Sequence, residues 1–373
     1  MSKLVLYRKY RPRKFSEVIG QDHVTRTLKN AIERESIAHA YLFCGPRGTG
    51  KTTLARLLAK AINCKDEKTL EPCDKCSSCL SIREGRAVDL IEIDAASHRG
   101  IDEIRELREG VKFTPAELKY KVYIIDESHQ LTSGAANALL KTLEEAPEKV
   151  IFILATTEPE KMISTILSRC QRFDLRKLTL PEIIKRLEII LKKEKVKSQK
   201  RALEIIATAA QGSIRDAESL LDQILNFVKG EIKEEDVRNL LGLIETEYIS
   251  KFIDLLIEEK GKEAIDFLND IYKEGISLDR FYSSLISYLR QLLLLKMSKV
   301  DIEDEDSSII TGLNISFTKE EIKKLKKQTK DLEEERIGIM MESFLKAGKL
   351  MKQSPIAQLP LEMAIVKITK KRD

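Results

Sequence analysis

Two stretches of the chain combine residue types and spacings that can do chemistry. "GPRGTGKT" (45–52) fits G-x-x-x-x-G-K-[ST], a phosphate cradle when it follows a strand and opens a helix. Gly45, Gly48 and Gly50 free the backbone to turn its N–H groups toward an anion, and Pro46, Arg47, Thr49 and the following Thr53 complete the loop. Lys51 is expected to reach the β- and γ-phosphates of ATP, and Thr52 to ligate Mg²⁺. The second stretch, "INCKDEKTLEPCDKCSSCLSI" (62–82), carries Cys64, Cys73, Cys76 and Cys79. Thiolates at C-x-x-C-x-x-C spacing, with a fourth upstream, can surround one Zn²⁺ tetrahedrally. Pro72 and the neighbouring Asp and Ser favour the tight turns this needs, and Lys65, Lys68 and Lys75 stand to offset the net charge of −2. Four protein ligands leave no open position, so the site reads as structural; an iron–sulfur site and free thiols are the alternatives.

A third segment completes the first. "VYIIDESH" (122–129) ends an apolar run in adjacent carboxylates. Asp126 sits where a Mg²⁺ ligand is needed, and Glu127 can polarise an attacking water; an ordinary strand followed by an acidic helix cap is the plainer reading. "IFILATTEP" ends in Thr156 and Thr157, either of which could hold the water or sense the γ-phosphate.

Positioning these groups requires strands that end at one edge. The runs at 39–44, 88–94, 121–126 and 150–157 are each followed by turn residues and a helical pattern, which predicts a parallel sheet with crossover helices. From 179 to 242 the pattern is helical, as for a small domain of three or four helices. From 243 to 373 it stays helical, with an acidic surface loop expected at 301–308 and a buried helix at 289–300. The expected domains are thus 1–178 with the cysteine insert at 62–82, then 179–242, then 243–373.

At 373 residues the chain is too long for one core. Lys+Arg 65 against Asp+Glu 60 neither demands nor excludes a nucleic-acid partner, because such proteins show a concentrated basic face rather than a large total. The basic N-terminus lacks an apolar core and no run of about 18 apolar residues occurs, so neither a secretory signal nor a membrane partner is expected. Four clustered cysteines without a secretion signal point to a cytoplasmic metal site rather than to disulfides. Cys44 and Cys170, beside apolar strands, read as core residues.

Together "VIGQ" (18–21), "GPRGTGKT", "IIDESH", "LATT", "ILSRC" (166–170) and "GSIRDAESL" (212–220) resemble the AAA+ ATPases of the clamp-loader group, and within it the gamma/tau family of bacterial DNA polymerase III, which carries a zinc module at the position of the cysteine insert. The resemblance covers residues 4 to about 242 by motif and the remainder by position and pattern. It implies an α/β AAA+ domain, a helical lid, and a C-terminal all-α collar. It implies a hetero-pentameric ring with several copies of this chain and ATP sites at subunit interfaces. The partners implied are other loader subunits, the sliding clamp, primer-template DNA and the polymerase holoenzyme at the replication fork. Under the resemblance Arg169 is an arginine finger offered to a neighbour's γ-phosphate, Arg215 a second sensor reaching ATP from the lid, and Thr157 the first sensor. The adenine edge falls to Tyr7, Arg8, Arg11, Pro12, Val18 and Ile19. From the residues alone, Arg169 is a surface arginine at a strand–helix junction, and Arg215 a helix-start arginine paired with Asp216 or Glu218.

Ser128 departs from the family pattern, which has a small apolar residue before the histidine; the chemistry is expected to survive. Longer members continue past the collar, so the end at Asp373 corresponds to a short form or a truncation. In "DAASHRGIDEIRELREGVKF" (94–113) helix-start N–H groups with Ser97, Arg99 and Arg105 can bind phosphates without reading bases, and Lys141 on the next helix can add to them. Interleaved Asp102, Glu103 and Glu106 fit a solvated charged face equally. Two other functions compete: a different AAA+ remodelling or DNA-processing ring, which would lack the cysteine insert, and a non-hydrolysing scaffold subunit, which would lack a working phosphate loop.

Overall fold

The computed structural model describes residues 4–66, 69–97, 100–242, 246–298 and 319–370. It divides into two compact units, Met1–Val196 with Ile206–Phe227, and Lys197–Ile205 with Val228–Asp373.

The first unit opens with α1 (Leu6–Lys9) and α2 (Asp22–Glu33) and then builds a five-stranded sheet. Its strands are β1 (Ala40–Cys44), β2 (Leu90–Asp94), β3 (Lys121–Asp126), β4 (Val150–Thr156) and β5 (Gln171–Asp174), in the order β2-β3-β4-β1-β5. Every pairing is parallel, with Cys44 opposite Thr156 and Asp94 opposite Asp126. The crossovers carry α3 (Lys51–Ile62), α4 (Ser77–Glu84), α5 (Ile101–Val111), α6 (Ser133–Glu144) and α7 (Ser164–Leu167). β1 and β4 are buried along their whole length because helices cover both sheet faces, so they read as unbroken apolar runs. Alternate residues serve opposite cores. Tyr41 and Phe43 pack with Leu28, Leu54 and Leu58 on one face, while Leu42 packs with Ile104 and Leu139 on the other.

Sequence periodicity predicts the first four strands and not β5. In "QRFD" only Phe173 is buried, so this edge strand has no apolar run to reveal it. After β5 come α8 (Leu180–Glu194), α9 (Lys200–Ala209) and α10 (Ile214–Phe227). Thr179 and Glu182 form a reciprocal capping box that starts α8, with Pro181 in its first turn.

The second unit is helical. It contains α11 (Glu234–Leu241), α12 (Thr246–Ile257), α13 (Gly261–Lys273), α14 (Leu278–Ser298), α15 (Lys319–Asp331), α16 (Glu334–Met351) and α17 (Leu359–Thr369). Its core centres on Phe252, Phe281 and Phe344, the first two meeting edge-on at 5.1 Å. Gln328, buried among these helices, accepts from Tyr288 Oη at 2.6 Å and donates to the Ser250 carbonyl at 2.8 Å and Asp254 at 2.6 Å. The apolar stretch expected to be a buried helix forms the C-terminal half of α14, with Leu289 and Leu292 fully buried and Met297 exposed. The acidic stretch 301–308 lies outside the described residues. Among those described, no helix is long and apolar enough to cross a membrane.

Candidate nucleotide site and cysteine cluster

The phosphate loop connects β1 to α3, as its sequence context requires. Gly48 (φ 77°) is approached so closely that a Cβ would overlap the Ser213 hydroxyl, and its carbonyl accepts from Ile214 N–H at 3.1 Å. The loop before α10 is therefore fixed against the phosphate loop, which brings Arg215 to the site. Lys51 is 6% exposed and donates to the carbonyls of Gly45 at 2.8 Å and Pro46 at 3.0 Å. Burial lowers its pKa, opposed by the carboxylates Glu127 and Asp126.

β3 delivers those carboxylates. Asp126 Oδ2 accepts from the Thr52 hydroxyl at 2.6 Å, and Oδ1 from Glu127 N–H at 2.9 Å. An octahedron with bonds of about 2.1 Å, as Mg²⁺ prefers, has edges of about 3.0 Å, so these two oxygens, now hydrogen-bonded at 2.6 Å, would part by a few tenths of an ångström to take adjacent corners. Glu127 is turned toward the site by a left-handed backbone (φ 47°, ψ 42°). Its Oε2 accepts from Thr157 Oγ1 at 2.8 Å. Thr156, fully buried, meets His129 Nδ1 at 3.0 Å, and His129 Nε2 lies 3.3 Å from Glu158. Ser128 is buried and donates to the Ala155 carbonyl at 3.0 Å, so its hydroxyl is satisfied within the fold and does not face the reacting groups.

A cavity of about 170 Å³ joins these groups. Its phosphate side is Arg47 through Thr53, its acidic wall Asp126 and Glu127. Tyr7, Arg11, Pro12, Val18 and Ile19 also line it, as does Arg215, whose guanidinium lies 4.9 Å from the Tyr7 ring centre. Hydrogen bonding with Arg215, and then with Arg8, lowers the Tyr7 pKa. Arg11 is lowered chiefly by burial. Arg8, Gly45, Pro46, Thr157 and Arg169 do not line the cavity. Arg169 instead donates to the Thr165 carbonyl at 2.8 Å and to Glu144 at 2.5 Å.

One pair in the wall escaped the sequence reading. Arg186 on α8 and Glu218 on α10 form an ion pair at 2.7 Å, both side chains 7% exposed or less, and Arg186 also bonds the Tyr10 carbonyl. Burial raises the Glu218 pKa, with Arg186 acting against it. Glu218 is thus engaged by Arg186 and not by Arg215. The signal was available: Arg186 falls on the apolar stripe Ile183, Leu187, Ile190, where an unpartnered charge would be costly.

The four Sγ atoms of Cys64, Cys73, Cys76 and Cys79 lie within 4.8 Å of one another, and those of Cys73 and Cys79 are 3.9 Å apart. A tetrahedron with Zn–S bonds of about 2.3 Å has edges of roughly 3.8 Å, so the donor set fits Zn²⁺. Backbone N–H groups of Lys75 and Cys76 point at Cys73 Sγ, and that of Cys79 at Cys76 Sγ. For Cys73 burial opposes ionisation, yet these N–H groups bring its thiol down to about 6. Burial raises Cys64 and Cys79. Cys44 is a core residue, as expected, with its thiol pushed up to about 11 by burial; Cys170 is half-buried against the same core and pushed up to about 12. Among the described residues the carboxylate of the cluster's loop, Asp74, is met by Lys60, Arg13 and Arg83 and not by Lys65 or Lys75, and Lys68 lies outside the described residues.

Of the nucleic-acid candidates, Ser97 is exposed with its hydroxyl on Asp94 at 3.3 Å. Arg105 on α5 and Lys141 on α6 are exposed on two helices that pack together. Arg99 lies outside the described residues.

Three family profiles cover most of the chain. Residues 20–179 match "DNA polymerase III, delta subunit", 182–230 match "DNA polymerase III clamp loader subunit, ATPase lid domain", and 232–373 match "DNA polymerase III subunits gamma and tau domain III". The chain is 48% identical over 296 residues to DNA polymerase III subunit tau of Bacillus subtilis, covering 79% of this chain and 53% of that one. It is 41% identical over 309 residues to subunit tau of Escherichia coli, covering 83% and 48%. It therefore spans about half the length of these tau relatives. Against DNA polymerase III subunit gamma of Buchnera aphidicola (subsp. Acyrthosiphon pisum) it is 35% identical over 368 residues, covering 99% of both chains. With that end-to-end match, and with all three profiles falling in order along it, the chain belongs to the gamma/tau family of DNA polymerase III subunits.

Proposed function

We propose that this chain is an ATP-hydrolysing subunit of a clamp loader, using ATP at subunit interfaces to open a ring-shaped sliding clamp and close it on primer-template DNA. The observation that carries the reading is the convergence of Lys51, Thr52, Asp126 and Glu127 at one cavity, a complete set for hydrolysis that a scaffold subunit would not need. Lys51 and the loop N–H groups hold the β- and γ-phosphates, and Glu127, oriented by Thr157, aligns the attacking water. Thr52 and Asp126 would hold Mg²⁺, which supplies charge neutralisation at the transferred phosphoryl group. Tyr7, Arg11, Pro12, Val18 and Ile19 enclose the base. Arg215 senses the phosphates in the same chain. Arg169 lies away from this chain's own cavity, which supports a role toward a neighbour's γ-phosphate.

The same reading divides the chain into an ATPase domain (1–178), a lid (179–242) and a collar (243–373). It makes the cysteine cluster a structural Zn²⁺ site through Cys64, Cys73, Cys76 and Cys79. It gives Ser97, Arg99, Arg105 and Lys141 sequence-independent phosphate contacts, whose affinity falls steeply with salt. The partners are other loader subunits in a five-membered ring with several copies of this chain, the clamp, and the polymerase holoenzyme, in the cytoplasm.

Steady-state ATP hydrolysis tests the reading, measured with and without primer-template DNA, the partner loader subunits and the clamp. Strong stimulation only by the full mixture, abolished by Lys51→Ala with assembly intact, is expected. Hydrolysis indifferent to clamp and primer junction would point to another AAA+ machine, and clamp loading that survives Lys51→Ala would remove this chain's ATP from the mechanism.

A further inference from the structure

The cysteine insert grips the segment that walls the nucleotide cavity. Asp74 lies inside the Cys73–Cys76 turn, in a left-handed backbone (φ 57°). Oδ1 accepts from Lys60 Nζ at 2.5 Å, and Oδ2 faces Arg83 at 3.1 Å and Arg13 at 3.4 Å. Lys60, on the phosphate-binding helix α3, has a side chain 5% exposed and also donates to the Arg13 carbonyl at 3.2 Å. A second grip comes from Glu71, two residues before Cys73. Its Oε2 accepts from Ser16 N–H at 3.3 Å and from the Ser16 hydroxyl at 3.4 Å, while its other oxygen pairs with Lys29 of α2. Arg13 and Ser16 bracket a short stretch whose neighbours Arg11, Pro12, Glu17, Val18 and Ile19 all line the cavity.

We propose that the cysteine-held insert is a brace for the base-side wall of the nucleotide site, and that Asp74 and Glu71 are positioning residues for nucleotide binding. The inference rests on the proposed nucleotide site and adds to it a task for the insert. The wall segment has little regular structure of its own, only a single 3-10 turn at Phe15–Glu17, so its order must come from tertiary contacts. Two of the polar anchors on it come from the insert, and a third, Lys60, is itself held by the insert. Lys60 has the further effect of tying the wall to α3, so the base edge and the phosphate loop keep a fixed separation. Neither Asp74 nor Glu71 supplies a sulfur ligand, so each can be changed without removing a metal donor.

The experiment compares two ligands on the 373-residue chain by titration calorimetry: ADP, which needs both wall and loop, and inorganic triphosphate, which needs the loop alone. Zinc content is measured in parallel. Asp74→Asn and Glu71→Gln are each expected to weaken ADP about tenfold, the low end for loss of an outer supporting partner. Triphosphate affinity and a zinc-to-protein ratio of about one in zinc-loaded protein should be unchanged. Unaltered ADP affinity in both variants would overturn the brace, and so would an equal loss for both ligands, which would mean general damage to the site. Failure of the unmodified chain to bind ADP at all would instead overturn the nucleotide site on which the inference rests.

Discussion

Glu127 Oε2 accepts from Thr157 at 2.8 Å and lies 3.6 Å from His129 Nδ1, beside an Asp126 already committed to Thr52. Under the proposed function this division of labour would separate binding from hydrolysis. Glu127→Gln keeps the shape and loses the charge, so ATP binding should persist while kcat falls about a hundredfold or more. Thr157→Val leaves the carboxylate in place but unaligned, and a smaller loss, about tenfold, is expected. Single-turnover hydrolysis alongside nucleotide titration distinguishes the two, and a parallel rise in Kd for either variant would count against the assignment. At this scale much of the cavity was legible in the sequence, because the phosphate loop is contiguous and the Asp-Glu pair ends an apolar strand. What was hidden is set by tertiary approach. Glu218 finds Arg186 across two helices, and Asp74 finds Lys60 and Arg13 from a turn that the sequence marks only for its cysteines.

Among the elements, α8 shows how a local sequence signal becomes a load on the fold. Glu182 closes its capping box and also takes Arg176 at 2.6 Å and 2.8 Å. Arg176 first, and the Thr179 N–H after it, hold the Glu182 carboxyl down at about 2. A depressed acid stabilises the fold because its ionised form makes better contacts there than in the unfolded chain. The contribution is therefore complete above pH 4.5 and lost as the pH falls toward 2. Because the site is partly open to solvent, about 1 kcal/mol is a fair magnitude. Urea unfolding of Glu182→Gln should show that deficit at pH 7 and a smaller one at pH 3.5; a deficit independent of pH would assign it to packing. The start of α8 could be read from "TLPE", as could the central strands from their apolar runs. β5 could not, since an edge strand with one buried residue leaves no period to detect.

For the molecule as a whole, two units with separate apolar cores predict two unfolding events. ADP with Mg²⁺ has its proposed site entirely within the first unit, so saturation at about 100 times Kd should raise that unit's stability by about 2.7 kcal/mol and leave the other transition in place. Scanning calorimetry would show one peak moving past the other; both moving together would mean that the units unfold as one. The overall α/β-then-helical arrangement followed from the change of period near residue 179, whereas the route of the chain between units did not, because it depends on which helices find partners rather than on any local pattern. The left-handed backbone at Glu127 has a consequence for how such a protein drifts under mutation. A non-glycine residue in that conformation costs about 1 kcal/mol or more. Glu127→Gly would relieve it, so the substitution that erases hydrolysis is one the fold tolerates and even favours. Selection for heat resistance alone should enrich it, and selection for growth should remove it. On the proposed function, hydrolysis is what would keep the carboxylate in place against the preference of its own backbone.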